Sequence, residues 1–96
     1  MLYHIVKPAY WYQCQPDEAY VPETFADEGF IHLSTREQVA GVLERYYSGI
    51  RPLIALHLDE ALFTAELRYE PAASGELFPH LYGPLNRDAI IGTEEL

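Results

Sequence analysis

Four histidines, His4, His32, His57 and His80, stand in a chain of 96 residues. Near pH 7 a neutral imidazole can act as acid, base, hydrogen-bond donor or metal ligand, so the setting of each ring decides what chemistry is open. His57 lies in the apolar run Ile54-Ala55-Leu56-His57-Leu58 and alternates away from Leu56 and Leu58, which reads as a structural residue on the other face of a strand. His4, in Tyr3-His4-Ile5, and His32, in Ile31-His32-Leu33-Ser34, occupy comparable places in two short strands. If those strands are neighbours, both rings converge on one side of a sheet; if not, each is a sheet histidine bonded to backbone. His80 belongs to Phe78-Pro79-His80-Leu81-Tyr82-Gly83-Pro84-Leu85-Asn86. The prolines push Phe78 and Gly83 away from helical backbone, so a stiff loop presenting polar groups is expected. The plainer alternative is a proline-rich turn in which Phe78 and Tyr82 plug the core.

Three imidazoles can hold zinc. No His-x-x-x-His pair supports a site built from His4, His32 and His80, and no metal is expected. A two-histidine phosphoesterase needs two copies of a His-x-Ser/Thr pattern, of which His32-Leu33-Ser34 is one and no other histidine supplies the second. Cys14 has no base beside it to depress a thiol pKa. As the single cysteine it also forms no internal disulfide, which fits a reducing compartment.

These side chains need elements to position them. Leu2 to Val6 is apolar and β-branched until Lys7 and Pro8 stop it, and predicts a strand with His4 facing away from Tyr3 and Ile5. Ala9 to Tyr20 shows no steady period and reads as an ordered loop pinned by aromatics. Pro22 can open a short helix to Glu28 that Gly29 closes, and Phe30 to Leu33 follows as a strand. Ser34-Thr35-Arg36-Glu37 has the pattern of a capping box. Behind it Val39, Val42, Leu43, Tyr46 and Tyr47 recur at helical spacing until Gly49. Leu53 to Leu58 reads as a central strand, with shorter strands at Leu67 to Glu70 and Ile90 to Thr93. The order implies one α+β domain over residues 1–96: a small, mostly antiparallel sheet core with one short and one longer helix.

Fifteen acids against six bases give a net charge of -9. That balance repels polyphosphate backbones and disfavours generic DNA or RNA binding, which depends on clustered Lys and Arg. No charged start precedes a long apolar run, and no stretch of about 18 apolar residues occurs, so neither a signal peptide nor a membrane span is expected. A cytoplasmic setting follows, with no membrane or nucleic-acid partner.

Four segments carry a resemblance: Leu2-Tyr3-His4-Ile5; Glu28-Gly29-Phe30-Ile31-His32-Leu33-Ser34 with Gln38; Glu70; and Phe78 to Asn86. Together they resemble the signature blocks of a bacterial family known as domain of unknown function number 952, over nearly the whole chain. That family is in turn similar to the ADP-ribosyltransferase fold group. The resemblance implies that His4 bonds the ribose of NAD and that His32 and Ser34 face the nicotinamide. The group's transferases also use a late glutamate. Phe78 to Asn86 contains no acid and Glu70 sits in a different block, so transfer chemistry stays open.

One pocket is therefore expected, with His4 and His32 on its floor, Ser34 at its rim, and His80, Tyr82 and Asn86 along one wall. Trp11 or Tyr12 would offer a stacking face for an adenine or nicotinamide ring. Three functions remain open. The first is an ADP-ribosyltransferase-like enzyme or NAD glycohydrolase in which His4, His32 and His80 carry catalysis. The second is a non-catalytic module for a nucleotide or other small anion. The third is a protein-interaction domain with structural histidines.

Overall fold

Ile54–Leu58 is apolar at all but one position and forms the middle strand of a sheet, paired on either side. A computed structural model describes all 96 residues. In chain order the elements are β1 (Leu2–Val6), α1 (Pro8–Gln13), α2 (Phe25–Glu28), β2 (Ile31–His32), α3 (Arg36–Tyr46), β3 (Ile54–Leu58), β4 (Glu66–Pro71), β5 (Leu77–Tyr82) and β6 (Ile90–Glu95). Single turns of 3-10 helix at Glu60–Leu62 and Arg87–Ala89 lead into β4 and β6.

The strands form two antiparallel three-stranded sheets, ordered β1-β3-β6 and β2-β5-β4. One face of the first sheet, through Ile5, Leu53 and Ala55, packs against Val39, Val42, Leu43 and Tyr47 on and just after α3. Its other face sends Leu2, Val6, Ile54, Leu56 and Leu58 into a core shared with Ile31, Leu33 and Leu81 of the second sheet. Each such side chain removed from water contributes on the order of 1.5–3 kcal/mol before conformational entropy is set against it. The backbone of β1 pairs toward the second sheet at one point. Tyr3 and Ser34 exchange two backbone hydrogen bonds of 2.8 Å, and past Tyr3 this edge of β1 has no strand partner.

The expected α+β class is present, with differences that have physical causes. There are two sheets in place of one sheet core, and three helices in place of two. The extra helix, α1, lies where an aromatic loop was expected. Pro8 at its first turn pre-sets φ and lacks an N–H that would have had no partner, and six residues are too few for a period to show. Pro22 initiates a turn that accepts from the Phe25 N–H, so α2 begins at Phe25 and ends on Gly29, whose φ of 78° is left-handed. α3 starts one residue later than the Ser34 box implied, because the Ser34 backbone is spent on the bridge to Tyr3. Thr35 is the N-cap, and Gln38 Oε1 accepts from its N–H at 3.0 Å.

The largest correction concerns Phe78 to Asn86, expected as a stiff loop. Its first half is strand β5, the centre of the second sheet. Pro79 is tolerated there because its carbonyl accepts from Leu33 N–H at 3.0 Å, just past the end of β2. The return bond that a proline cannot donate would be the next rung, and the two-residue ladder of β2 ends there. Beyond the strand, Gly83 and Pro84 turn the chain toward Leu85, whose backbone exchanges hydrogen bonds of 2.8 and 2.9 Å with Tyr20.

Gly83 is required by space. A Cβ there would sit 2.7 Å from the Ala65 Cβ, in the segment leading into β4. Gly83→Ala is expected to destabilise the fold by about 1–3 kcal/mol, the usual cost of overpacking. A denaturant midpoint unchanged from the parent protein would contradict this.

Candidate functional site

The second sheet is amphipathic, and its outer face carries the chemistry. β-strand alternation sends Ile31, Leu67 and Leu81 inward to the core and His32, His80 and Arg68 outward in one cross-strand row. His32 and His80 form a non-hydrogen-bonded pair, the kind that brings side chains closest. Their rings meet edge to face at 5.1 Å. Phe30 lies against both, stacked on His80 at 4.2 Å and edge-on to His32 at 4.8 Å. His32 Nε2 reaches the Glu28 carboxylate, one turn back at the end of α2, at 3.2 Å.

Glu70 completes this face. Its Oε1 accepts from His80 Nδ1 at 2.8 Å and from the Tyr82 hydroxyl at 2.5 Å. The Tyr82 hydroxyl, and then His80, hold the Glu70 carboxyl below the usual carboxylate range, while the bond to Glu70 pushes the Tyr82 phenol up. A carboxylate only accepts, so His80 carries its proton on Nδ1 and leaves Nε2 as a free acceptor when the ring is neutral. This carboxylate–histidine pairing is what a general base requires of its orienting partner. Glu70 lies outside the Phe78 to Asn86 block, and only the β4–β5 register places it there: it stands opposite Phe78, diagonal to His80.

His4 occupies the floor where the sheets part, and it is 6% exposed. Its Nδ1 lies 2.8 Å from the His32 carbonyl and its Nε2 lies 2.9 Å from the Tyr20 hydroxyl. The carbonyl can only accept, which puts the proton on Nδ1 and makes Nε2 the acceptor of the Tyr20 O–H. Burial lowers the His4 pKa from 6.5 to about 4, against the favourable backbone bond from His32, so the ring is neutral. Burial likewise pushes the Tyr20 phenol up. Both ring nitrogens are thus engaged by the protein, and His4 braces β1 against β2 and the Tyr20 loop.

Between the unpaired edge of β1 and the second sheet lies an open cleft of about 750 Å³. His4, His32, Ser34 and His80 line it, as the sequence led one to expect; Tyr20 and Glu28 line it as well. Tyr82 stands behind His80 through the shared Glu70. Asn86 is drawn elsewhere: it accepts from Thr64 N–H at 3.2 Å and donates to the Leu62 carbonyl at 2.8 Å, tying the loop before β4. Trp11 packs between Tyr20 and the Arg87 guanidinium, and Tyr12 is 77% exposed; neither lines the cleft. The aromatic lining comes from Tyr10, Tyr46, Tyr47 and Phe78 instead. His57 bonds Glu94 at 3.0 Å and meets the Tyr3 ring edge-on, outside the cleft. No three His, Cys, Asp or Glu side chains are grouped so as to hold a metal ion, and no helix is long and apolar enough to cross a membrane.

The model of the family described as protein of unknown function (DUF952) matches residues 5–93. The chain belongs to that family. The crystal structure of protein CC0527 from Caulobacter crescentus is similar over 99% of this chain and 84% of that one, at 27% identity and a TM-score of 0.86. A double-mutant form of the same protein gives the same values. No curated protein matches the chain. Neither match carries a function, so any function has to be argued from the site.

The buried His4 makes a stability prediction. Its folded pKa is depressed to about 4, so the unfolded chain takes up a proton below pH 6.5 that the folded chain does not. Stability from this group is complete above pH 6.5 and is lost as pH falls toward 4, by on the order of 3 kcal/mol. In His4→Gln the slope of unfolding free energy across that window should flatten, measured by urea titrations at several pH values. An unchanged slope would remove His4 as its source.

Proposed function

We propose that the cleft binds a nucleotide, NAD being the first to test, and that His80 acts there as general base in cleavage or transfer at the ribose. His80 at the cleft wall, with Glu70 behind it, carries this reading: an ionised carboxylate fixes the ring with its Nε2 lone pair free. A volume of about 750 Å³ falls within the range of small-molecule and cofactor pockets, roughly 300–1,000 Å³. The likeness to the ADP-ribosyltransferase group supports the choice of NAD, with one role moved. His4, which the likeness would place on the ribose, has no nitrogen to spare. His32 and Ser34 remain at the cleft to meet the nicotinamide side, and Tyr47 or Phe78 offers a ring face in place of Trp11.

In the proposed reaction the bond between ribose C1' and the nicotinamide nitrogen breaks, and its electron pair leaves with the ring, which becomes neutral nicotinamide. The ribosyl cation is taken by the oxygen of water or of an acceptor hydroxyl, whose proton passes to His80 Nε2. Glu70 stabilises the resulting imidazolium through Nδ1 without touching substrate, so it is a positioning residue.

A second reading, a binding module without chemistry, draws on one observation: Glu70 does not itself line the cleft, so no carboxylate on β4 faces the cation directly. Titration of 15N-labelled protein with NAD, followed by a nicotinamide-release assay, separates the two. The enzyme reading expects saturable shifts at His32, Ser34 and His80, and turnover that His80→Ala lowers by about 10²–10⁴-fold with little change in binding. His32→Ala should remove binding and leave the unfolding midpoint in place. Saturation without turnover would establish the binding module, and silence at millimolar concentrations of several nucleotides would sink both.

A further inference from the structure

We infer that the cleft takes a mononucleotide, with its single phosphate on Lys7, in preference to a dinucleotide; the inference rests on the nucleotide reading above. The chain has six Lys and Arg residues, and its five arginines have other partners. Arg36 lies over the Tyr3 ring at 5.7 Å, and Arg45 reaches Glu76 at 3.9 Å. Arg51 donates to the Tyr47 and Ile50 carbonyls after α3. Arg68 pairs with Glu66 at 3.0 Å and lies over Tyr82. Arg87 donates to the Gln15 and Glu18 carbonyls at 2.8 Å and lies over Trp11. None of the five lines the cleft.

Lys7 does line it, is exposed, and enters no ion pair. The other ionised groups on the walls are the carboxylates of Glu23 and Glu28. One ammonium can balance one phosphate as a point charge. The adjacent second phosphate of a dinucleotide would find no cation in the cleft, and would enter the field of those two acids in a chain of net charge -9.

The placement also fits the site. Lys7 follows His4 by three residues along extended backbone, about 10 Å at the rise of a strand. His4 in turn touches the carbonyl of His32, whose ring meets His80. The free cation and the free base thus stand at separated points of one cleft. A ribose 5-phosphate carries its phosphate and its glycosidic bond at opposite ends in the same way.

The test is an NMR titration at low salt with three probes: nicotinamide riboside, nicotinamide mononucleotide and NAD. The mononucleotide should bind at least about tenfold more tightly than either of the others, near 1.4 kcal/mol. Lys7→Ala, and Lys7→Gln as a second variant at this exposed position, should erase its advantage over the riboside and leave riboside binding unchanged. NAD binding as tightly as the mononucleotide would overturn the inference and leave the nucleotide reading standing. Equal weakening of riboside and mononucleotide by both Lys7 variants would overturn the placement of the phosphate. Binding of none of the three would overturn the inference and the nucleotide reading together.

Discussion

A single buried imidazole holds three separate parts of the chain together where the two sheets meet. His4 is on β1, its Nδ1 proton goes to the carbonyl of His32 on β2, and its Nε2 accepts from Tyr20 in the loop after α1. The geometry requires a neutral ring with one donor and one acceptor, and burial supplies that state. The Tyr20 backbone in turn exchanges hydrogen bonds with Leu85, beyond β5. Fixing one ring therefore fixes β1, the end of β2 and the exit from β5. With only Tyr3 and Ser34 paired across the sheets, the rest of the β1 edge is left as a wall of the cleft.

The second sheet shows how a domain this small builds a site without loosening its core. Every inward position of the β2–β5 ladder is apolar and buried, so the outward positions are free to carry His32, His80 and, from β4, Glu70. Strands give these side chains a more rigid base than a loop would. The short cross-strand spacing of the His32–His80 pair sets the ring contact, and Phe30 closes it from one side. The pair of bonds on Glu70 then leaves a single ring nitrogen of His80 uncommitted.

How legible this was in the sequence depended on the range of the forces involved. β1, α3 and β3 follow from local pattern, because an apolar run or a helical stripe already says which face is buried. The placing of His32 and His80 beside a common cleft was also readable, since both sit in dense polar–aromatic blocks. β5 was hidden by Pro79, and its acceptance there depends on where a different strand, β2, runs out. Glu70 was visible as a residue and invisible as a partner, because only the register set by the Ala72–Glu76 turn puts it diagonal to His80. Asn86 was drawn toward the site by its neighbours in sequence. In space it satisfies the backbone of Leu62 and Thr64, which no local pattern announces.

The distribution of cations follows from the same economy. Long irregular segments in a domain of 96 residues leave backbone carbonyls without ladder partners, and a guanidinium with several fixed donors can satisfy two at once. Arg87 does this for Gln15 and Glu18, and Arg51 for Tyr47 and Ile50. Arginines used as latches are not available to grip phosphates. The surface that remains is acidic, and the cleft inherits that character except at Lys7. The one cation at the cleft is thus what is left after the fold has used its arginines to hold the loops.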